Sequence, residues 1–163
     1  MAEISYPPMR RKDRAITDPA QLQQLLEQCQ VMRLGMSGPQ GPYVVPLNFG
    51  YKIQAASRLQ LFFHCAAQGR KIQMIEADTR VCFEIDCDHR LVPGDVPCEY
   101  SYRYASVIGF GRARELRDPQ EKEAGLSRVM ARFAQGPYYF DTGVLSRTRV
   151  FIIEVEHWAG KRH

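Results

Sequence analysis

The segment Leu59-Gln60-Leu61-Phe62-Phe63-His64-Cys65-Ala66-Ala67-Gln68-Gly69-Arg70-Lys71 decides how the rest of the chain is read. Leu59, Leu61, Phe63 and Cys65 alternate with Gln60, Phe62 and His64, the two-residue period of a half-buried strand. The strand runs into small residues, turns at Gly69 and delivers Arg70 and Lys71 to a short helix predicted over 70–77, with Ile72 and Ile75 inward. Backbone amides at a helix N-terminus beside two cations make an anion site suited to a phosphate monoester. A solvated Arg-Lys pair is the plainer alternative. A Walker loop is excluded, because its glycines and the Ser or Thr after the lysine are absent. His64 stands opposite the apolar face, six residues before Arg70, on the same wall as the anion site. It reads either as a group for substrate placement and proton donation or as an ordinary strand histidine.

Working outward, strands are predicted at Val31–Met36, Pro42–Tyr51, Val81–Cys87, Tyr104–Leu116 and Arg149–Trp158. Two helices announce themselves by the same grammar. Asp18-Pro19-Ala20-Gln21 supplies a cap, a proline at the first helical position and a capping-box residue, followed by Leu22, Leu25, Leu26 and Cys29 on one face. Asp118-Pro119-Gln120-Glu121 repeats it, with Leu126, Val129, Met130 and Phe133 as the buried stripe and Gly136-Pro137 as the end. Five or six strands without a regular alternation of helices imply an antiparallel sheet or barrel. Two stretches, Arg90–Cys98 and Ala134–Leu145, read as long loops.

Composition narrows the classes. The chain has 163 residues, 45% hydrophobic and 25% charged, with no internal repeat or low-complexity tract. That fits one domain over residues 1–163, with a basic arm over 1–14, and excludes a disordered, collagen-like or coiled-coil chain. No apolar run approaches a membrane span, and the N-terminus lacks the apolar core of a secretory leader. The net charge of +4 is mild. Its densest cluster, Arg10, Arg11, Lys12 and Arg14, is interrupted by Asp13 and reads as a solvated tail rather than a nucleic-acid-binding stripe. Cys29, Cys65, Cys82, Cys87 and Cys98 are odd in number and form no CxxC pair, which points to reduced thiols in the cytoplasm. No metal site is expected, because the four histidines do not supply close pairs with them.

Three further segments stand out. Pro46 interrupts Tyr43-Val44-Val45-Pro46-Leu47-Asn48-Phe49-Gly50-Tyr51, implying an edge, a bulge or a backbone facing a ligand. Asn48 beside it could serve the carbonyl and N–H edge of a planar heteroaromatic ring, or could be an ordinary satisfied edge residue. Gly109 and Gly111 lie mid-strand, so a dinucleotide-binding turn is excluded and a bulge or close backbone approach is indicated. Glu156-His157-Trp158-Ala159-Gly160-Lys161-Arg162 places the only tryptophan among basic residues, as a flap over a ligand or as a polar tail.

Met9-Arg10-Arg11-Lys12-Asp13-Arg14, Tyr43–Tyr51, Phe62–Lys71, Tyr104–Ala113 and Trp158-Ala159-Gly160-Lys161, in that order, resemble the pyridoxamine-phosphate-oxidase-like flavoproteins, and within them the nitroimidazole-resistance branch. The resemblance implies a mainly β fold, a six-stranded antiparallel FMN-binding split barrel with peripheral helices, forming a homodimer with FMN at its interface. It places Val45, Pro46, Leu47 and Asn48 along the flavin ring, His64 and Cys65 beside the flavin and ribityl chain, and Arg70 and Lys71 on the phosphate. Ser106, Trp158 and Lys161 match further flavin contacts, the last two from the partner subunit. The implied activity is FMN-dependent reduction of a small electrophile such as a nitroimidazole. A flavin-binding or redox-sensing module without turnover is the alternative. The oxidase's C-terminal Arg-Leu-His pattern is absent, so pyridoxamine phosphate oxidation is not implied.

Overall fold

The computed structural model describes residues 5–163. The first four residues of the expected basic arm lie outside that range. Eight strands form one antiparallel sheet: β1 (Ala15–Ile16), β2 (Val31–Gly38), β3 (Gly41–Asn48), β4 (Gly50–Ile53), β5 (Leu59–Ala66), β6 (Arg80–Val92), β7 (Ser101–Leu116) and β8 (Thr148–Arg162). Their order is β3-β2-β6-β7-β8-β5-β4, with β1 added beside β8. The ends of the sheet, β3 and β4, are consecutive in the chain yet pair with different neighbours, β2 and β5, so the barrel stays open between them.

The expected six strands thus become eight. The two-residue β1 is too short to leave a periodic signal. The predicted strand over 42–51 divides at Phe49, whose ring is fully buried. Tyr43, Val45, Leu47, Phe49, Tyr51 and Ile53 all face the core, so the alternation runs on through Phe49 while the chain changes partner there from β2 to β5.

Helices α1 (Pro19–Gln28), α3 (Pro119–Met130) and α4 (Thr142–Arg147) each start from an aspartate. The carboxylates of Asp18, Asp118 and Asp141 accept backbone N–H groups of the first turn, relieving the orphan donors every helix start carries. Among the described residues, no bond from Gln21 completes the expected capping box. Helix α2 (Arg70–Ala77) has the predicted bounds but begins at Gly69 with no side-chain cap.

Two apolar clusters hold these elements. The larger gathers Met32, Leu34, Phe63, Phe83, Ile85, Val107 and Phe151 with Leu25 and Leu26 of α1 and Ile72 and Ile75 of α2. The smaller joins Phe62, Val150 and Ile152 to Leu126 and Val129 of α3 and Leu145 of α4. Strands β5 and β8 are therefore covered on both faces, and Phe62 is core rather than surface. Helix α3 ends at Met130, short of the expected Gly136-Pro137, and leaves Met130 and Phe133 exposed. Its end is redirected by Arg132, whose Nη2 donates to the carbonyls of Leu26 and Glu27, with a further contact to that of Cys29. These are the free carbonyls at the C-terminus of α1, where a cation is favoured.

Neither predicted loop is plain. The first is a loop from residue 93 onward, its opening residues Arg90–Val92 belonging to β6 and its end, from Pro97, to a single 3-10 turn, and the second holds α4. The mid-strand glycines do mark close approach. A Cβ at Gly109 would fall 2.4 Å from the Phe83 ring, and one at Gly111 would fall 2.3 Å from the Glu154 carbonyl. The β7–β8 register shifts between Phe110 and Gly111. Among the described residues, no helix is long and apolar enough to cross a membrane.

Candidate cofactor site

The start of α2 is built as an opening. Gly69 adopts φ +146°, and a Cβ there would meet nothing within 4 Å. The carbonyl of Gly69 accepts the N–H groups of Ile72 and Gln73, while the preceding amides have no side-chain cap to satisfy them. The Arg70 guanidinium lies over the Tyr43 ring, 4.7 Å from its centroid. Lys71 Nζ sits 5.6 Å from the Phe63 ring centroid. Burial pulls the Lys71 pKa below its ordinary value. Among the described residues, neither cation forms an ion pair with a carboxylate. A half-buried, unpaired ammonium beside free amides is a place where an anion lowers the free energy.

His64 and Cys65 close the adjoining end of β5. His64 pairs with Val150 of β8 and is exposed beyond the smaller cluster. The chain packed around one side of the ring desolvates it, and this first, then the Lys71 charge, lowers its pKa from the ordinary 6.5 and favours the neutral imidazole. Cys65 lies on the opposite face, where burial raises its thiol pKa against the opposing charges of Lys71 and Arg149. It is a protonated wall, not a thiolate nucleophile. Helix α2 is anchored here by Arg149, which reaches Glu76 of α2 at 2.8 Å and Glu115 of β7 at 2.7 Å. Sequence reasoning missed this clamp, because its three members lie far apart in the chain.

Strand β3 borders the opening through Tyr43. Val45 and Leu47 turn inward with Tyr43 against the larger cluster, while Pro46 and Asn48 are exposed. Pro46 occupies an edge strand, as its missing donor requires. Asn48 Nδ2 donates to the Gln30 carbonyl at 3.2 Å, which commits one of its donors.

The remaining candidates stand elsewhere. Ser106 and Lys161 are cross-strand neighbours, with Lys161 Nζ 5.4 Å from the Tyr104 ring centroid. Trp158 sits opposite Gly109 and donates from Nε1 to the Ser57 carbonyl at 3.2 Å. Since Val150 is the partner of His64, Lys161 lies 161 − 150 = 11 residues further along β8. At about 3.3 Å per residue that is ~36 Å of strand. Ser106 and Lys161 therefore lie far from Arg70 and Lys71 on the outer face, while Trp158 packs inward against the larger cluster.

An open antiparallel barrel, with an uncapped helix start and paired cations at one end, defines a split-barrel protein equipped to hold a phosphorylated ligand. The chain belongs to the pyridoxamine 5'-phosphate oxidase family, whose profile matches residues 18–162. No curated protein sequence matches it. Among solved structures, it is similar to a candidate 5-nitroimidazole antibiotic resistance protein from Bacteroides thetaiotaomicron, with 27% identity, TM-score 0.79, and coverage of 91% of this chain and 86% of that one. It is also similar in fold to an FAD- and heme-binding protein from Mycobacterium smegmatis, with 18% identity, TM-score 0.78, and coverage of 91% and 72%. A flavocytochrome from Azotobacter vinelandii shares the fold at 18% identity and TM-score 0.79, covering 96% of this chain and 72% of its own.

Proposed function

We propose that this protein is an FMN-dependent oxidoreductase that reduces a small electrophile, with a nitroimidazole-type nitro group as the leading substrate class. The observation that carries the reading is the start of α2. Among the described residues it alone of the four α-helices lacks an aspartate cap, and it presents Arg70 and Lys71 without carboxylate partners. The likeness to the Bacteroides resistance protein supports the substrate class, the names of the Mycobacterium and Azotobacter neighbours support a flavin, and the choice of FMN rests on the phosphate-sized anion site at α2.

In this reading Arg70, Lys71 and the first amides of α2 hold the FMN phosphate. Val45 to Asn48 run along the ring, and Cys65 walls the ribityl side. When bound, FMN supplies hydride transfer from its N5. His64, its neutral form favoured, positions the electrophile by hydrogen bonding and can pass on a proton taken from water.

Ser106 and Lys161 reach the same flavin only from a second copy, because one chain holds them at the far end of β8, and Trp158, packed inward, braces that end from behind. The sheet offers a surface for that copy. The register carries one row across its outer face through Val44, Gly35, Cys82, Phe110 and His157, and the adjoining row includes Ile108. Val44, Ile108 and Phe110 are exposed apolar side chains, continuous with Ser106 and Lys161. The five cysteines are free thiols in the structure, in keeping with a cytoplasmic setting.

The test uses FMN-loaded protein reduced chemically under anaerobic conditions and mixed with a 5-nitroimidazole. Reoxidation well above the rate of free reduced FMN is expected. Bound flavin that reoxidises no faster than free FMN would replace this reading with that of a flavin-binding module without turnover.

A further inference from the structure

Arg90 of β6 and Arg103 of β7 face one another directly across the ribbon. Like charges in that arrangement are destabilising. A bulge creates the juxtaposition. The β6–β7 register shifts between Cys87 and Arg90, where Asp88 takes a left-handed φ of 60°. Cys87 opposes Ala105 and Arg90 opposes Arg103, so both lie on the inner face although three residues apart. Without the bulge the two-residue period would send Arg90 to the other face.

Arg162 joins them, because it opposes Ala105 and shares that face. The three guanidinium groups line a cavity of about 1060 Å³ beneath the ribbon, floored by Gln24 and Gln28 of α1. Asp88 is the one side-chain carboxylate in the lining, and it lies 3.9 Å from Arg162. Arg90 and Arg103 find no carboxylate partner among the described residues. Tyr104 and His163, the next cross-strand pair, lie at its rim with their rings on the outer face beside Lys161.

We infer that this cavity is a second anion site, taking the diphosphate of a phosphorylated nucleotide. Three Arg forks match several phosphate oxygens. The volume exceeds that of a diphosphate alone and leaves room for the attached nucleoside. The site is on the inner face, away from Ser106 and Lys161 on the outer one and from the start of α2. It does not depend on the flavin reading.

The experiment titrates the full chain, with and without added FMN, with inorganic pyrophosphate and with ADP, by calorimetry and by melting temperature. Both ligands should bind and raise the melting temperature. Arg90→Gln and Arg103→Gln should each weaken binding about 10- to 100-fold, while Lys71→Ala leaves it unchanged. At low salt without ligand, Arg103→Gln should melt no lower than wild type, since it removes a repulsion. Tighter ADP than pyrophosphate assigns the base to the cavity, and equal affinities assign the diphosphate alone. Absence of binding at millimolar ligand, binding unchanged by both Arg substitutions, or loss in Lys71→Ala alone would overturn the inference.

Discussion

The Arg70 guanidinium caps the Tyr43 ring at 4.7 Å, and through that contact the start of α2 is joined to the edge strand β3. Two segments separated by more than twenty residues of sequence become one wall. With Lys71 over Phe63 and His64 at the end of β5, that wall carries the candidate contacts for the flavin phosphate.

Lys71→Ala should lower FMN affinity about 10- to 100-fold, the worth of a charge-assisted contact of roughly 1.5–3 kcal/mol. Riboflavin, which lacks the phosphate, should bind wild type weakly and barely respond to the substitution. Calorimetric titration of both ligands checks this, and an equal loss for both would move Lys71 away from the phosphate.

His64 should report phosphate binding through its own titration. Burial and Lys71 hold its pKa below 6.5 in the free protein. An anion on Lys71 cancels the second cause, so the pKa should rise on adding inorganic phosphate, which neutralises Lys71 without covering the ring. Proton NMR of the imidazole over pH 4–8 reads it, and a pKa that stays put would contradict the arrangement. In turnover, His64→Ala should lose about 10²–10⁴-fold if the ring transfers a proton. Recovery in His64→Gln would assign it to positioning.

How much of this was legible in the sequence varies with the kind of signal. Asp-Pro at two helix starts and the alternation of residues 59–65 are local, and the structure has those elements where they were expected. The bounds of α2 were read from Gly69 and the spacing of Ile72 and Ile75. The burial of Phe62 was not legible, because it depends on α3 packing from sixty residues away. The clamp of Arg149 on Glu76 and Glu115, and the turn of Arg132 onto the end of α1, are likewise long-range. Ser106, Trp158 and Lys161 entered by resemblance alone. Nothing in their spacing shows that one chain holds them away from Arg70. Tyr6, expected within a solvated tail, instead stacks on Phe110 and His157 at 5.1 and 4.9 Å, a contact between segments with no shared pattern.

Gly109→Ala should destabilise the fold without touching the cofactor wall. The added Cβ would fall 2.4 Å from the Phe83 ring and 2.8 Å from the His157 carbonyl. Overpacking of this kind costs about 1–3 kcal/mol. Urea denaturation should show a lower midpoint with an unchanged slope, and a midpoint equal to wild type would mean that Phe83 yields freely.

Acid should release the α2 clamp. Hydrogen bonding from Arg149 holds the Glu115 pKa below its ordinary 4.5. A lowered carboxylate pKa gives stability that is present above about pH 4.5 and lost as pH falls through the folded-state value. Glu115→Gln should therefore flatten the fall in stability below pH 4.5. A variant whose acid limb matches wild type would show that the pair contributes nothing measurable.

The account turns on a flavin held between two copies of the chain. Its most direct test is titration of the purified protein with FMN, followed by flavin absorbance alongside light scattering. One FMN per chain, bound only where the protein scatters as a dimer, is the predicted result. No flavin uptake, or stoichiometric FMN on a monomer, would contradict it.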